Sequence, residues 1–261
     1  MDKNIIRTTF RTYRYLVLGV VLLFVLTGCS GDFSPIDETS TGFFNEWIVY
    51  PFSQLIKWVA VLFQGSYGMS IVAITLAIRL LLFPFMLNQS KQTHVGQEKM
   101  KELKPEMDEI QKKYKGKTST SDQMEMQKEL SALYQKHDYH PFKMVAGCLP
   151  MIIQMPFLIG FYYAIRRTPE IANQSFLWFN LGELDVLLIG IAVFTYFIQS
   201  RVSLIGLKGK QRKQASLIGL VSPIMIGIIS FTMPAALPLY WAVGGMFMIV
   251  QTFIIKKFIT R

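Results

Sequence analysis

One fixed charge sits inside an otherwise apolar run: Arg79, within "SIVAITLAIRLLLFPFML" from Ser70 to Leu87. A guanidinium does not escape by losing its proton. At the centre of a bilayer it costs about 2.5–3.5 kcal/mol even on translocon-insertion scales. Leu87 ends the run eight residues later, about 12 Å along a helix, so reaching the headgroups by extension alone strains the side chain. Polar side chains that could solvate it are Thr75, one turn away in the same run, and, in the other apolar runs, Gln154, Tyr162, Tyr163, Thr195, Gln199, Ser222 and Tyr240. None of these is acidic, and 16 of the 17 Asp and Glu residues fall outside the expected spans, Asp185 standing at the outer edge of the third. An unpaired cation among hydroxyls and amides is the chemistry of a hydrated cavity that draws in an anion. Snorkelling to the headgroups is the competing reading.

Bond-making chemistry has no comparable signal. The chain holds no Walker A loop, no HExxH, no GxSxG and no pair of aspartates within an apolar run, so neither an enzyme nor a built-in energy source is expected. His94, His137 and His140 lack cysteine partners and read as solvated loop residues, so no metal and no cofactor is expected.

The elements that position these residues follow from composition. With 261 residues, 51% of them hydrophobic, the chain reads as a polytopic membrane protein. Residues 1–28 form a basic segment and a short apolar run ending in "LTGC", an export signal with a lipobox whose Cys29 would be acylated and become the new N-terminus. An uncleaved first helix is the alternative. Cys148 reads as a small buried hydrophobe. Residues 29–66 hold a polar linker and "FFNEWIVYPFSQLIKWVAVLF". There Glu46, Tyr50, Ser53, Gln54 and Lys57 mark the polar side of an amphipathic helix on the outer surface.

Five spans are expected, at 67–87, 144–165, 184–204, 215–233 and 237–255. Pro84 and Pro223 are tolerated where neighbours satisfy the freed carbonyls. With the N-terminus outside, nineteen basic residues fall on the cytosolic side and three, Lys57, Arg166 and Arg167, outside. That asymmetry sets N-out, C-in, and explains the net charge of +10 without DNA; the basic face would suit anionic lipid or ribosomal RNA. Arg166 and Arg167 would pair with Glu170 or with outer headgroups. Residues 88–142 read as a charged antiparallel helical hairpin, its first arm carrying Met100, Leu103, Met107, Ile110 and Tyr114 at threes and fours, and its second Met126, Leu130, Leu133 and Tyr134. Pro105 suggests a kink or late start of the first arm. Residues 143–261 contain the remaining spans and a short tail.

"YGMSIVAITLAIRLLLFPF", "GCLPMIIQMPFLIGFYYAIR", "FLWFNLGELD" and "AALPLYWAVGGMFMIVQTF", in this order around a basic hairpin and after a lipobox, resemble the YidC/Oxa/Alb membrane protein insertases. The likeness is to the lipoprotein-type, five-span form of Gram-positive bacteria and covers essentially the whole mature chain. It implies an all-α bundle in the bacterial plasma membrane. Arg79 would attract the polar outer segment of a nascent membrane protein into a groove open to cytosol and lipid. Thr75 and Gln154 would line that groove, Tyr240 and Trp241 would touch the client, and the Sec translocon and the ribosome are possible partners. Members often carry a Ser-Asn pair shortly after "LYW", where this chain has Gly244 and Gly245. Two other classes compete: a channel or transporter, which would be expected to show internal repeats, and a scaffold or chaperone for assembling membrane complexes.

Overall fold

The computed structural model describes residues 34–117, 119–137, 139, 149–207 and 209–259. The export signal with Cys29, His140, Cys148 and the start of the second expected span lie outside the described residues. In chain order a π-helical turn (Asn45–Val49) leads into α1 (Tyr50–Leu62), followed by α2 (Tyr67–Lys113), α3 (Thr120–Lys136), α4 (Leu149–Arg166), α5 (Pro169–Ala172), β1 (Ser175–Phe176), β2 (Phe179–Asn180), α6 (Val186–Ser203), α7 (Gly209–Gly219), α8 (Val221–Ser230) and α9 (Ala236–Ile259). The fold is mostly helical. Among the described residues, four helical stretches are long and apolar enough to cross a membrane: Tyr67–Lys113, Val186–Ser203, Arg212–Ser230 and Ala236–Lys257.

Three elements differ from the sequence expectation, each for a local reason. Helix α2 runs unbroken for 47 residues through Pro84 and Pro105, about 70 Å of helix. A proline removes one backbone bond, and beside Pro105 the packing of Leu103 and Met107 against the second arm holds the helix together. The fourth expected span is two helices, because Pro223 has no N–H for the Gly219 carbonyl four residues back; the Ser222 hydroxyl faces that carbonyl instead, at 3.5 Å. The third is a small antiparallel ribbon, β1 with β2, pairing Ser175 with Asn180 and Phe176 with Phe179. Leu177 turns its corner at φ 54°.

Contacts divide the chain into two compact units. The first takes the residues up to Ile74, Pro156–Gly190 and Ile228–Tyr240. In it the π-helical turn and α1 together bury Val49, Ser53, Ile56 and Ala60 and expose Trp47, Trp58, Val61 and Leu62. Ser53 is therefore on the packed side, bonded to the Thr168 hydroxyl at 2.8 Å, and not on a polar face as its spacing suggested. Phe52 meets the rings of Phe157 and Phe161, and a β-carbon on Gly160 would come within 2.8 Å of Phe52. Gln174 ties the turn after α1 to the start of α2, accepting from the Tyr67 amide and donating to the Gly65 carbonyl.

The two arginines placed outside do not share Glu170 as expected. Glu170 pairs with Lys57 at 3.0 Å. Its own backbone amide and Lys57 hold its carboxyl below the usual range. Arg167 is buried, with Nε donating to the Ser34 carbonyl at 2.7 Å and Nη1 to Asn45 Oδ1 at 2.6 Å. Its own carbonyl accepts from the Ile36 amide.

The second unit takes Thr75–Met155, Ile191–Gly227 and the residues from Trp241 onward. Its helical hairpin has α2 and α3 as arms, closed by Leu103, Leu133 and Tyr139 with Met100, Met107, Ile110 and Tyr134 around them. Ion pairs bridge the arms: Lys113 with Glu129, and Lys136 and His137 with Glu106. Ser119 caps α3 by accepting from the Asp122 amide, the arrangement that stabilises a helix start. Apart from the hairpin, α6 packs against three helices at small residues. Gly219 stands against Ser200, Gly227 against Val193, and Gly245 against Thr195 and Tyr196. Small residues let apolar helices approach where lipid offers no hydrophobic driving force.

Candidate functional site

The site is built from α2 outward. Thr75 and Arg79 are one turn apart, hence on one face of the helix; Thr75 is 1% exposed and Arg79 is half-buried. The guanidinium lies against α9 at Gly244, where an added β-carbon would be 3.0 Å from Nη2, 3.4 Å from Nε and 3.6 Å from Cζ. The next residue, Gly245, receives the Thr195 methyl and the Tyr196 ring, which would stand 2.8 and 3.1 Å from its β-carbon. Two adjacent glycines thus bring α2 and α6 onto the same stretch of α9. Tyr196 is near enough to Arg79 to interact with its charge.

Among the described residues no carboxylate answers the arginine. Among the described residues Arg79 forms no ion pair, and the acidic ion-pair partners, Glu98, Glu106, Glu129 and Glu170, lie in the hairpin and the first unit. Gln154 is in the same unit, with both amide atoms buried and no hydrogen-bond partner among the described residues. The other expected site residues divide. Thr195 is buried and donates to the Ile191 carbonyl. Gln199 donates to the Ser203 hydroxyl at 3.2 Å. Trp241 is 7% exposed, and Ser222 is exposed. Tyr162 and Tyr240 belong to the first unit, where Tyr162 packs edge-on to Tyr163 and Tyr240 lies 5.5 Å from the Phe161 ring.

Sequence reasoning missed Gly244, Gly245 and Tyr196 as site residues. The signal was present: a Gly-Gly pair inside a helix sacrifices helix propensity, which is repaid where another chain segment must come close. The arrangement can hold a charge inside an apolar bundle and offer it to an anionic group. Among the described residues no cluster of His, Cys, Asp and Glu could hold a metal ion.

Three comparisons bear on this geometry. The family model described as 60Kd inner membrane protein matches residues 58–261. A protein named membrane protein insertase YidC 2 from Listeria monocytogenes serotype 4b (strain F2365) is 48% identical over 242 residues, covering 93% of this chain and 86% of the relative. The membrane protein insertase MisCB of Bacillus subtilis (strain 168) is 40% identical over 258 residues, 94% of this chain and 93% of its own. A crystal structure of an active YidC insertase with its first transmembrane domain resolved superposes with a TM-score of 0.52 at 24% identity, over 80% of this chain and 47% of that one. At that identity it speaks for the fold alone.

Proposed function

The chain belongs to the 60Kd inner membrane protein family, that of the YidC-type insertases, and on that premise we propose that it inserts nascent membrane proteins through a hydrated groove centred on Arg79. The relatives are named for insertion and not for catalysis, and the protein is not an enzyme. The observation that carries the groove reading is the state of Arg79: half-buried, packed on the bare backbone of Gly244, with no ion-pair partner among the described residues.

A client's short outer segment, when it carries an acid, is drawn toward this cation, which shortens the apolar distance it must cross. The client's own apolar helix supplies the drive. About 20 residues, the best of them contributing roughly −0.3 to −0.6 kcal/mol each, outweigh one charge crossing a hydrated path. Thr75, Gln154 and Thr195 line the groove in this reading, with Gln199, Ser222, Tyr162, Tyr240 and Trp241 assigned to its edges and to client contact. In this reading five spans put an acylated Cys29 outside and the hairpin and C-terminus in the cytosol of a bacterium. The hairpin receives clients, and the groove also assists their folding. Anionic lipid, the Sec translocon and the ribosome are partners of the same arrangement.

The test is insertion of a single-span client with one acidic residue in its outer tail into proteoliposomes. Wild type and Arg79→Lys insert it and Arg79→Ala does not; neutralising the client's acid narrows the gap. Equal insertion by Arg79→Ala removes the attractor role.

A further inference from the structure

A second polar site lies in the same unit, apart from Arg79. A cavity of about 370 Å³ is enclosed by α2 just beyond its apolar run, by the loop after α6, and by the last turns of α9. Its α2 wall consists of Ser90, Thr93, His94, Gln97 and Lys101, positions that share one helix face. The side chains of Ser90, Thr93, Gln97 and Lys101 make no hydrogen bond or ion pair among the described residues. No carboxylate is among the lining residues; just outside the lining, Glu98 stands 3.8 Å from His94 Nδ1. Lys256 closes the opposite wall. Its Nζ donates to the carbonyls of Val202, Ser203 and Ile205 at 3.0, 2.7 and 2.5 Å, so it holds the loop in shape and contributes positive charge.

Hydroxyls, an amide and ammonium groups, with no carboxylate in the lining itself, form a site for an oxyanion. Depth narrows the class. The apolar run of α2 ends at Leu87, α6 ends at Ser203, and α9 turns basic at Lys256, so the cavity lies where three apolar helices reach the headgroups. Its volume falls in the range of small-molecule sites, more than a bare ion requires. Ile205, half exposed, forms part of its rim and offers a surface for a hydrocarbon chain.

We propose that this cavity binds the phosphate headgroup of an anionic membrane lipid. The proposal rests on the chain spanning a membrane and is independent of the role given to Arg79. The full-length protein is purified in detergent, and retention of phosphatidylglycerol and of phosphatidylcholine with the same acyl chains is measured by native mass spectrometry. Wild type retains phosphatidylglycerol preferentially. Lys101→Gln and the double variant Ser90→Ala, Thr93→Val each weaken that retention about tenfold, the scale of one charge-assisted hydrogen bond, with unchanged melting temperature. Lys115→Gln, an equal loss of charge at the far end of the hairpin, leaves it as in wild type. Equal retention of the two lipids, or an equal effect of Lys115→Gln, overturns the site. Displacement of phosphatidylglycerol by millimolar inorganic phosphate reassigns the cavity to soluble phosphate esters and overturns the lipid assignment.

Discussion

Gly244 and Arg79 are in direct apposition: the backbone of one is the floor on which the guanidinium of the other lies, with 3.0 Å between Nη2 and the position a β-carbon would take. That spacing is tighter than ordinary van der Waals contact, so any side chain at 244 moves the charge. The guanidinium is the far end of a flexible side chain and yields by a few tenths of an ångström to alanine, and by much more to leucine. Insertion of an acidic-tailed client is expected to fall modestly for Gly244→Ala and about tenfold for Gly244→Leu, the equivalent of 1.4 kcal/mol. If Gly244 acts through the arginine, Gly244→Leu has no further effect in an Arg79→Ala background. Additive losses in that cycle separate the two residues.

The neighbouring glycine makes a different prediction, because what it meets cannot swing away. A β-carbon at 245 would stand 2.8 Å from Thr195 Cγ2 and 3.1 Å from the Tyr196 ring. Gly245→Ala is therefore expected to destabilise the protein by about 1–3 kcal/mol through overpacking, read as a lower melting temperature in detergent. Thr195→Ser deletes the obstructing methyl and keeps the hydroxyl that donates to Ile191. The double variant should recover part of the loss, whereas Thr195→Val should recover none.

These two glycines also mark where the sequence was readable and where it was not. Arg79, the apolar runs and the hairpin's threes-and-fours pattern follow from side-chain chemistry and periodicity, which act locally. What lies across from a residue does not. The tail after "LYW" looked like a loss of polar contacts, and the fold turns Gly244 and Gly245 into close-approach surfaces. Ser53 read as polar surface because its type is polar, yet Thr168, 115 residues away, gives it a buried partner. Glu170 had two arginines beside it in sequence and pairs instead with Lys57 from α1. Pro105 suggested a kink or a late start, and the helix begins well before it, with Leu103 and Met107 on either side of it packed between the hairpin arms.

Arg167 anchors the segment before the first helix, and its replacement should release it. The side chain is 4% exposed and serves both the Ser34 carbonyl and Asn45 Oδ1. Arg167→Ala strips the partner from both and is expected to cost about 2–3 kcal/mol. Arg167→Lys is not a conservative rescue, since a single ammonium cannot reproduce the planar fork that reaches both acceptors. Limited proteolysis should show cleavage between Ser34 and Asn45 rising in both variants, and unchanged in Arg166→Ala, whose side chain is exposed.

Acid should loosen the hairpin. Glu129 on α3 accepts from Lys113 and from the Tyr114 hydroxyl at the end of α2. These bonds, the lysine's first, hold its carboxyl below the ordinary 4.5, and Glu129 in turn raises Lys113. A carboxyl depressed in the folded state binds protons less readily there than in the unfolded chain, so its stabilisation is fully present above the unfolded value and is lost as pH falls through the folded one. Lys113, raised, stays charged throughout that window. Hydrogen exchange of the hairpin amides, corrected for intrinsic rates, should therefore be flat from neutral pH down to about 4.5 and show lost protection below it. Glu129→Gln should exchange faster at neutral pH and lose most of the acid response. An acid profile identical to wild type in Glu129→Gln would remove Glu129 as the source of the loosening.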